Sequence, residues 1–245
     1  AAQNQERKKI TAVVRSFNNP EIANAVDRLL EIGVGHVIVI VQTSQETDRQ
    51  TLTYLGQERL NDPRLSVHEM DDYGWSKGLN RGLFLADRQS AVLKPKDEPN
   101  LEYILAISNE AVLNQEDLDK MLAILVSEKE VGLVGVSFEG FKDKDGARET
   151  VALGSTYNRF PRNTCAMHRY ATLQDTWGFD PAPEQYRGME DYLLALQLYT
   201  YTDWEWKMAD VKIPLAIDRN SDQHEKEQEE TKTMQWVEDL LKERV

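Results

Sequence analysis

Short apolar runs alternate with polar, glycine-bearing segments over the first 138 residues, and the alternation predicts strands and helices in turn. Ile10-Thr11-Ala12-Val13-Val14 reads as a buried strand. It gives way to Arg15-Ser16-Phe17-Asn18-Asn19-Pro20, where Asn19 suits an N-cap, Pro20 the first helical position and Glu21 the first turn. Ile22, Val26, Leu29 and Leu30 share one face of a helix running to about Ile32, which Gly33 and Gly35 stop. The β-branched run His36 to Val41 predicts a strand covered on both faces, as in a parallel sheet. A helix over Thr51 to Leu60 and a third strand over Leu65 to Glu69 follow.

The glycine-bearing segment Asp72 to Gly82 leads into a helix through Leu83, Leu85 and Ala86. Gln89 to Asn100 is polar and proline-containing, which suits a surface loop. Tyr103 to Ile107 is a fourth strand, ending in Ser108-Asn109-Glu110. Leu118, Met121, Leu122 and Leu125 predict one face of the next helix, and Val131 to Phe138 is a fifth strand. Such alternation implies an α/β sheet with mostly parallel strands. Ligands of these sheets bind beyond the carboxyl ends of the strands, so the loops at 15–18, 42–48, 74–82 and 108–110 should gather at one edge. The period fades after residue 138. Glu139 to Arg148 reads as a hairpin or loop, Arg169 to Trp177 and Glu190 to Tyr201 as helices, and Trp206 to Ile217 as a strand or two. Glu225 to Val245 reads as a charged terminal helix with Trp236, Leu240 and Leu241 as its apolar contacts.

Composition narrows the picture. The chain of 245 residues is 40% hydrophobic and 29% charged, as in ordinary globular domains. No apolar run approaches the roughly 20 residues that span a bilayer. Residues 1–9 read as a polar, disordered tail. Cys165 is the sole cysteine, which removes an intrachain disulfide and a multi-cysteine zinc site and suits a reducing, cytoplasmic setting. A net charge of −13 argues against nucleic-acid binding, which relies on clustered Lys and Arg.

The acidic pair Glu190-Asp191 opens the helix that runs through Tyr192-Leu193-Leu194. Carboxylates at a helix start gain about 0.3–1 kcal/mol from the macrodipole, which alone accounts for them. The same pair would also serve as a general base at the mouth of a pocket.

The ordered set of loops resembles the family 2 glycosyltransferases of the GT-A fold, over roughly residues 10–220. The resemblance implies a mostly parallel central sheet flanked by helices, with a smaller acceptor-side region. Residues 10–138 would form the nucleotide-sugar-binding half and 139–224 the acceptor-binding and catalytic half of one compact domain, followed by the helix at 225–245. Arg15, Ser16, Phe17 and Asn18 stand where that family places its first polar turn. Gln42 and Ser44 stand where the nucleotide base is held, with Gln42 in place of a carboxylate. Gly74, Lys77, Asn80 and Arg81 lie in the glycine loop and helix start that would face a diphosphate, together with Asn109. Ser108-Asn109-Glu110 occupies the Asp-x-Asp position, so Ser108, Glu110 and the late His224 would be the ligands of Mn²⁺ or Mg²⁺. Asp191 would deprotonate the acceptor hydroxyl, and Glu190 would shape the acceptor site.

The activity implied is inverting transfer of a hexose from a nucleotide-diphosphate donor to a sugar, glycan or other hydroxyl acceptor. A GT-A-like domain that binds nucleotide or sugar without turnover is the alternative, motivated by Ser108 and Gln42. A nucleotidyltransferase ranks below both, because Arg15-Ser16-Phe17-Asn18 lacks a glycine-rich phosphate loop.

Overall fold

The computed structural model describes residues 2–16, 22–42, 49–50, 53, 62–71, 75–92, 101–139, 147–149, 159–176, 178–179 and 190–215. The elements run α1 (Ala2–Arg7), β1 (Ile10–Ser16), α2 (Ile22–Ile32), β2 (His36–Gln42), β3 (Leu65–Met70), α3 (Trp75–Val92), β4 (Tyr103–Ser108) and α4 (Gln115–Ser127). They continue with β5 (Val131–Phe138), β6 (Ala147–Glu149), β7 (Arg159–Pro161), β8 (Cys165–Arg169), α5 (Tyr170–Gln174), α6 (Glu190–Tyr201) and β9 (Glu205–Ile213).

Seven strands form one sheet in the order β3-β2-β1-β4-β8-β5-β9. All neighbours pair in parallel except β8, which runs antiparallel between β4 and β5. The short strands β6 and β7 pair separately. Continuous apolar strands are needed because both faces of the sheet are covered. Val37, Val39 and Val41 pack in the core shared with α2 and α4, whereas Ile38 and Ile40 pack in the core shared with α3 and α6. The same alternation divides Leu105 and Ile107 from Ile104 and Ala106 in β4. Strand β9, at the sheet edge, alternates exposed and buried positions in its second half.

Local signals close the helices as their residues require. Gly33, at φ +90°, ends α2 and donates its N–H to the carbonyls of Leu29 and Leu30. Asn114 caps α4 by accepting from the Asp117 N–H at 2.8 Å. Arg169 fastens the far end of α4: its Nη2 donates to the carbonyls of Leu125 at 2.6 Å and Val131 at 3.1 Å.

The start of the chain differs from the expected disordered tail. Ala2–Arg7 is a helix, and its anchor is polar: Arg7 donates to the Ile32 carbonyl at 2.8 Å and pairs with Asp119 at 3.0 Å. Buried guanidinium bonds of this kind supply what the missing apolar stripe cannot. The helix expected at 51–60 lies almost wholly outside the described residues, and the terminal helix at 225–245 lies wholly outside them. Among the described residues no helix is long and apolar enough to cross a membrane.

Candidate functional site

The direction of winding reverses between β1 and β4. From β1 the chain adds β2 and β3 on one side, then returns to place β4 on the other. Such a reversal opens a crevice at the carboxyl ends of the strands, where ligands of α/β sheets bind. Arg15 sits there with Ile40 as its partner in β2 and Ser108 as its partner in β4. Its Nε donates to Oε1 of the buried Gln42. The first turn of α3 closes on the same pair, since a Cβ on Gly78 would stand 3.5 Å from both Arg15 Cγ and Gln42 Oε1. Arg15, Gln42 and the amino end of α3 are therefore brought together, with Lys77 half-buried beside them in sequence.

Ser16 ends β1 and is fully buried. Its Oγ finds no hydrogen-bond partner among the described residues, and neither does Nδ2 of the buried Asn109 at the end of β4. A buried polar atom without a partner costs about 1–3 kcal/mol, and these two lie on neighbouring strand ends.

Two residues of the expected donor site are engaged elsewhere. Asn80 faces the far side of α3, where its Oδ1 accepts from the Phe179 N–H at 2.8 Å and its Nδ2 donates to the Phe179 carbonyl. Arg81 is exposed, lies 5.6 Å over the Phe84 ring and stands near His68 of β3, two strands away from β1. Burial, and secondarily the Arg81 charge, push the His68 imidazole below its usual range. Phe17, Asn18, Ser44, Gly74 and His224 lie outside the described residues.

At the Asp-x-Asp position the described residues offer few oxygen donors for a hard cation. Ser108 Oγ is occupied within its own turn, 3.4 Å from Asn109 Oδ1 and accepting from the Glu110 N–H at 3.3 Å. That leaves Glu110 as the one carboxylate of the segment, and no group of three His, Cys, Asp or Glu that could hold a metal occurs among the described residues. Mg²⁺ and similar hard cations use one or two carboxylates and complete their oxygen shell with substrate phosphates and water.

Glu190 and Asp191 open α6 as the sequence suggests, and both are buried. The structure adds partners that sequence reading missed. Asn163 lies in the turn before β8, and its Nδ2 donates to Glu190 Oε1 at 3.4 Å. His168, fully buried in β8, places Nε2 2.8 Å from Asn163 Oδ1. Asn163 turns its nitrogen to Glu190 and its oxygen to His168, and because an amide oxygen only accepts, the imidazole carries its proton on Nε2. Burial pushes the His168 pKa down to about 3, which keeps the ring neutral. The ring meets Phe179 edge-on at 5.1 Å, and Phe179 is the residue Asn80 holds. The available signal was His168 itself, a lone polar side chain at the end of the apolar run Cys165-Ala166-Met167.

One turn joins the two halves. The Ser108 N–H donates to the Thr164 carbonyl at 2.9 Å, while the adjacent Asn163 holds Glu190. The end of β4 and the start of α6 thus flank the same pair of residues.

No protein-family profile matches the chain, and no curated protein matches it in sequence. Solved structures do. CMP:2-keto-3-deoxy-manno-octonic acid synthetase in complex with CTP superposes with a TM-score of 0.49 at 9% identity, over 92% of this chain and 99% of that one. GalNAc-T7 with UDP, GalNAc and Mn²⁺ superposes with a TM-score of 0.59 at 8% identity, over 84% of this chain and 43% of that one. The chain has the fold of nucleotide-diphospho-sugar transferases, a GT-A-like mixed α/β architecture with a mostly parallel central sheet.

Proposed function

We propose that the chain is a glycosyltransferase of the family 2 type, which takes a nucleotide-diphospho-sugar at the β1–β4 crevice and moves its sugar to an acceptor hydroxyl with inversion. The observation that carries this reading is the Asn163–Thr164 turn, which ties Ser108 of the donor edge to Glu190 of the acceptor edge. Ser16 Oγ and Asn109 Nδ2 supply unspent hydrogen bonds for the donor, and Arg15 supplies positive charge.

In the transfer step Asp191 takes the proton of the acceptor hydroxyl. The acceptor oxygen forms its bond to the anomeric carbon as the bond from that carbon to the diphosphate oxygen breaks. The nucleoside diphosphate leaves with the electron pair. Arg15 and Lys77 stabilise its charge, an electrostatic role that grows in a site shielded from water. Glu110 would hold a divalent ion together with the donor's phosphates, with Ser108 and His224 as the further expected ligands, and such an ion would stabilise charge on the departing diphosphate. The single cysteine suits a cytoplasmic setting.

A second reading is a domain of this fold that binds nucleotide without turnover. The occupied Ser108 hydroxyl favours it. Calorimetry with UDP and GDP, with and without Mn²⁺, tests the donor site common to both readings. Binding of one nucleotide, weakened about tenfold in Ser16→Ala and Asn109→Ala, supports it, since ligand hydrogen bonds of this kind contribute roughly 1 kcal/mol or more. Absence of binding by both nucleotides refutes it.

A further inference from the structure

Three buried side chains, His168, Asn163 and Glu190, are linked in series beside Asp191 in the chain. His168 on β8 reaches Asn163 at 2.8 Å, and Asn163 reaches Glu190 at 3.4 Å. Asn163 is 1% exposed, His168 0% and Glu190 4%. The far end of the line is fixed as well, because the His168 ring abuts Phe179, which Asn80 grips by its backbone.

A purely structural carboxylate has no need of this arrangement. An apolar side chain would fill the space behind α6 at lower desolvation cost, since a buried ion is expensive unless it is hydrogen-bonded. Here the protein retains a carboxyl group and directs at one of its oxygens the amide of Asn163, itself met by His168. A neutral imidazole is well matched to the end of such a chain, because it donates from Nε2 and adds no charge that would neutralise the carboxylate.

We propose that Asn163 and His168 are positioning residues for Glu190, holding its carboxylate in one orientation beside Asp191 so that Asp191 is presented to the acceptor. The proposal rests on the reading of Glu190-Asp191 as the acceptor-side pair. Among the described residues, Asp191 adjoins Glu190 on its own helix, His168 on β8 reaches it through Asn163, and Arg162 is buried in the turn that carries Asn163.

The experiment has two arms. In the first, Tm is followed from pH 5 to pH 8 for wild type, Asn163→Asp, Glu190→Gln and the double variant. Asn163→Asp sets a second carboxylate against Glu190, so the folded state must retain a proton that the unfolded chain releases. Its stability is then greatest at low pH and falls as pH rises, by about 5 °C relative to wild type for a domain of this size. Adding Glu190→Gln removes that dependence. If Asn163→Asp runs parallel to wild type, or the double variant keeps the slope, the contact does not exist and the proposal falls.

In the second arm, turnover of a panel of UDP- and GDP-hexoses is measured for His168→Gln and His168→Phe. The glutamine amide still donates to Asn163, whereas phenylalanine keeps only the contact with Phe179. Positioning through Asn163 gives about a tenfold lower kcat with unchanged donor KM in His168→Phe, and recovery to within about threefold in His168→Gln. Equal losses in both would overturn it. If wild type turns over no donor, the proposed function fails, while the first arm still judges the network.

Discussion

Asn80 grips the backbone of Phe179 with both ends of its amide, accepting from the N–H at 2.8 Å and donating to the carbonyl, across a sequence separation of 99 residues. The clamp ties α3 to the segment ahead of α6. Gly178, at φ +67°, allows the approach, since a Cβ there would stand 3.2 Å from Asn80 Oδ1.

Replacing Asn80 by Ala removes both bonds and leaves a backbone amide of Phe179 unmet. The loss should be about 2–3 kcal/mol, from two bonds of roughly 1 kcal/mol and the penalty of an unpaired buried group. Urea unfolding measures it. A loss below about 0.5 kcal/mol, the scale of an ordinary surface substitution, would show the clamp to be unimportant.

Two glycines of α3 should behave in opposite ways. A Cβ on Gly82 would lie 2.2 Å from Val13 Cγ1, inside the packed face of β1. Gly82→Ala should therefore destabilise by roughly 1–3 kcal/mol through overpacking, and Val13→Ala in the same chain should recover part of the loss. A Cβ on Gly78 meets only ordinary contacts at 3.5 Å. Gly78→Ala should leave stability unchanged or raise it by about 0.5–1 kcal/mol through helix propensity, while weakening nucleotide binding at the Arg15–Gln42 corner. Thermal melts with and without UDP or GDP separate the two effects.

His168 should make the fold sensitive to acid. Burial holds its pKa near 3, against about 6.5 in an unfolded chain. Between those values the unfolded state binds a proton that the folded state refuses. The stability this group contributes is thus complete above about pH 6.5 and is lost as pH falls, at about 1.4 kcal/mol per pH unit. The difference in unfolding free energy between wild type and His168→Gln should shift by about 1 kcal/mol between pH 6 and pH 5. A constant difference would contradict the burial of a neutral ring.

The strands were legible because burial on both faces demands unbroken apolar runs. Tyr103 to Ile107 and Val131 to Phe138 announce themselves in this way. The direction of β8 was not legible, because Cys165–Arg169 becomes antiparallel only through its pairing with Leu105 and Val134, far away in sequence. Helix α1 escaped notice because its anchor is Arg7, a residue type that ordinarily marks a solvated tail. The placement of Arg15 and Gln42 at the ends of β1 and β2 was readable from the apolar runs before them. The contact of Asn80 with Phe179 was not readable, because a Gly-x-Asn landmark tells which residue is present but not which way it points. The contacts of Asn163 with Glu190 and His168 were not readable, because they exist only once β8 and α6 are packed together.

The central claim is that Asp191 takes the acceptor proton in a sugar transfer from a nucleotide-diphosphate donor. Turnover of UDP- and GDP-hexoses, with and without Mn²⁺, by wild type and Asp191→Asn tests it most directly. The expected result is turnover of at least one donor by wild type and a loss of about 10²–10⁴-fold in kcat for Asp191→Asn, the scale of general-base catalysis, with nucleotide affinity unchanged. Equal turnover by the two proteins, or none by wild type with any donor, would contradict it.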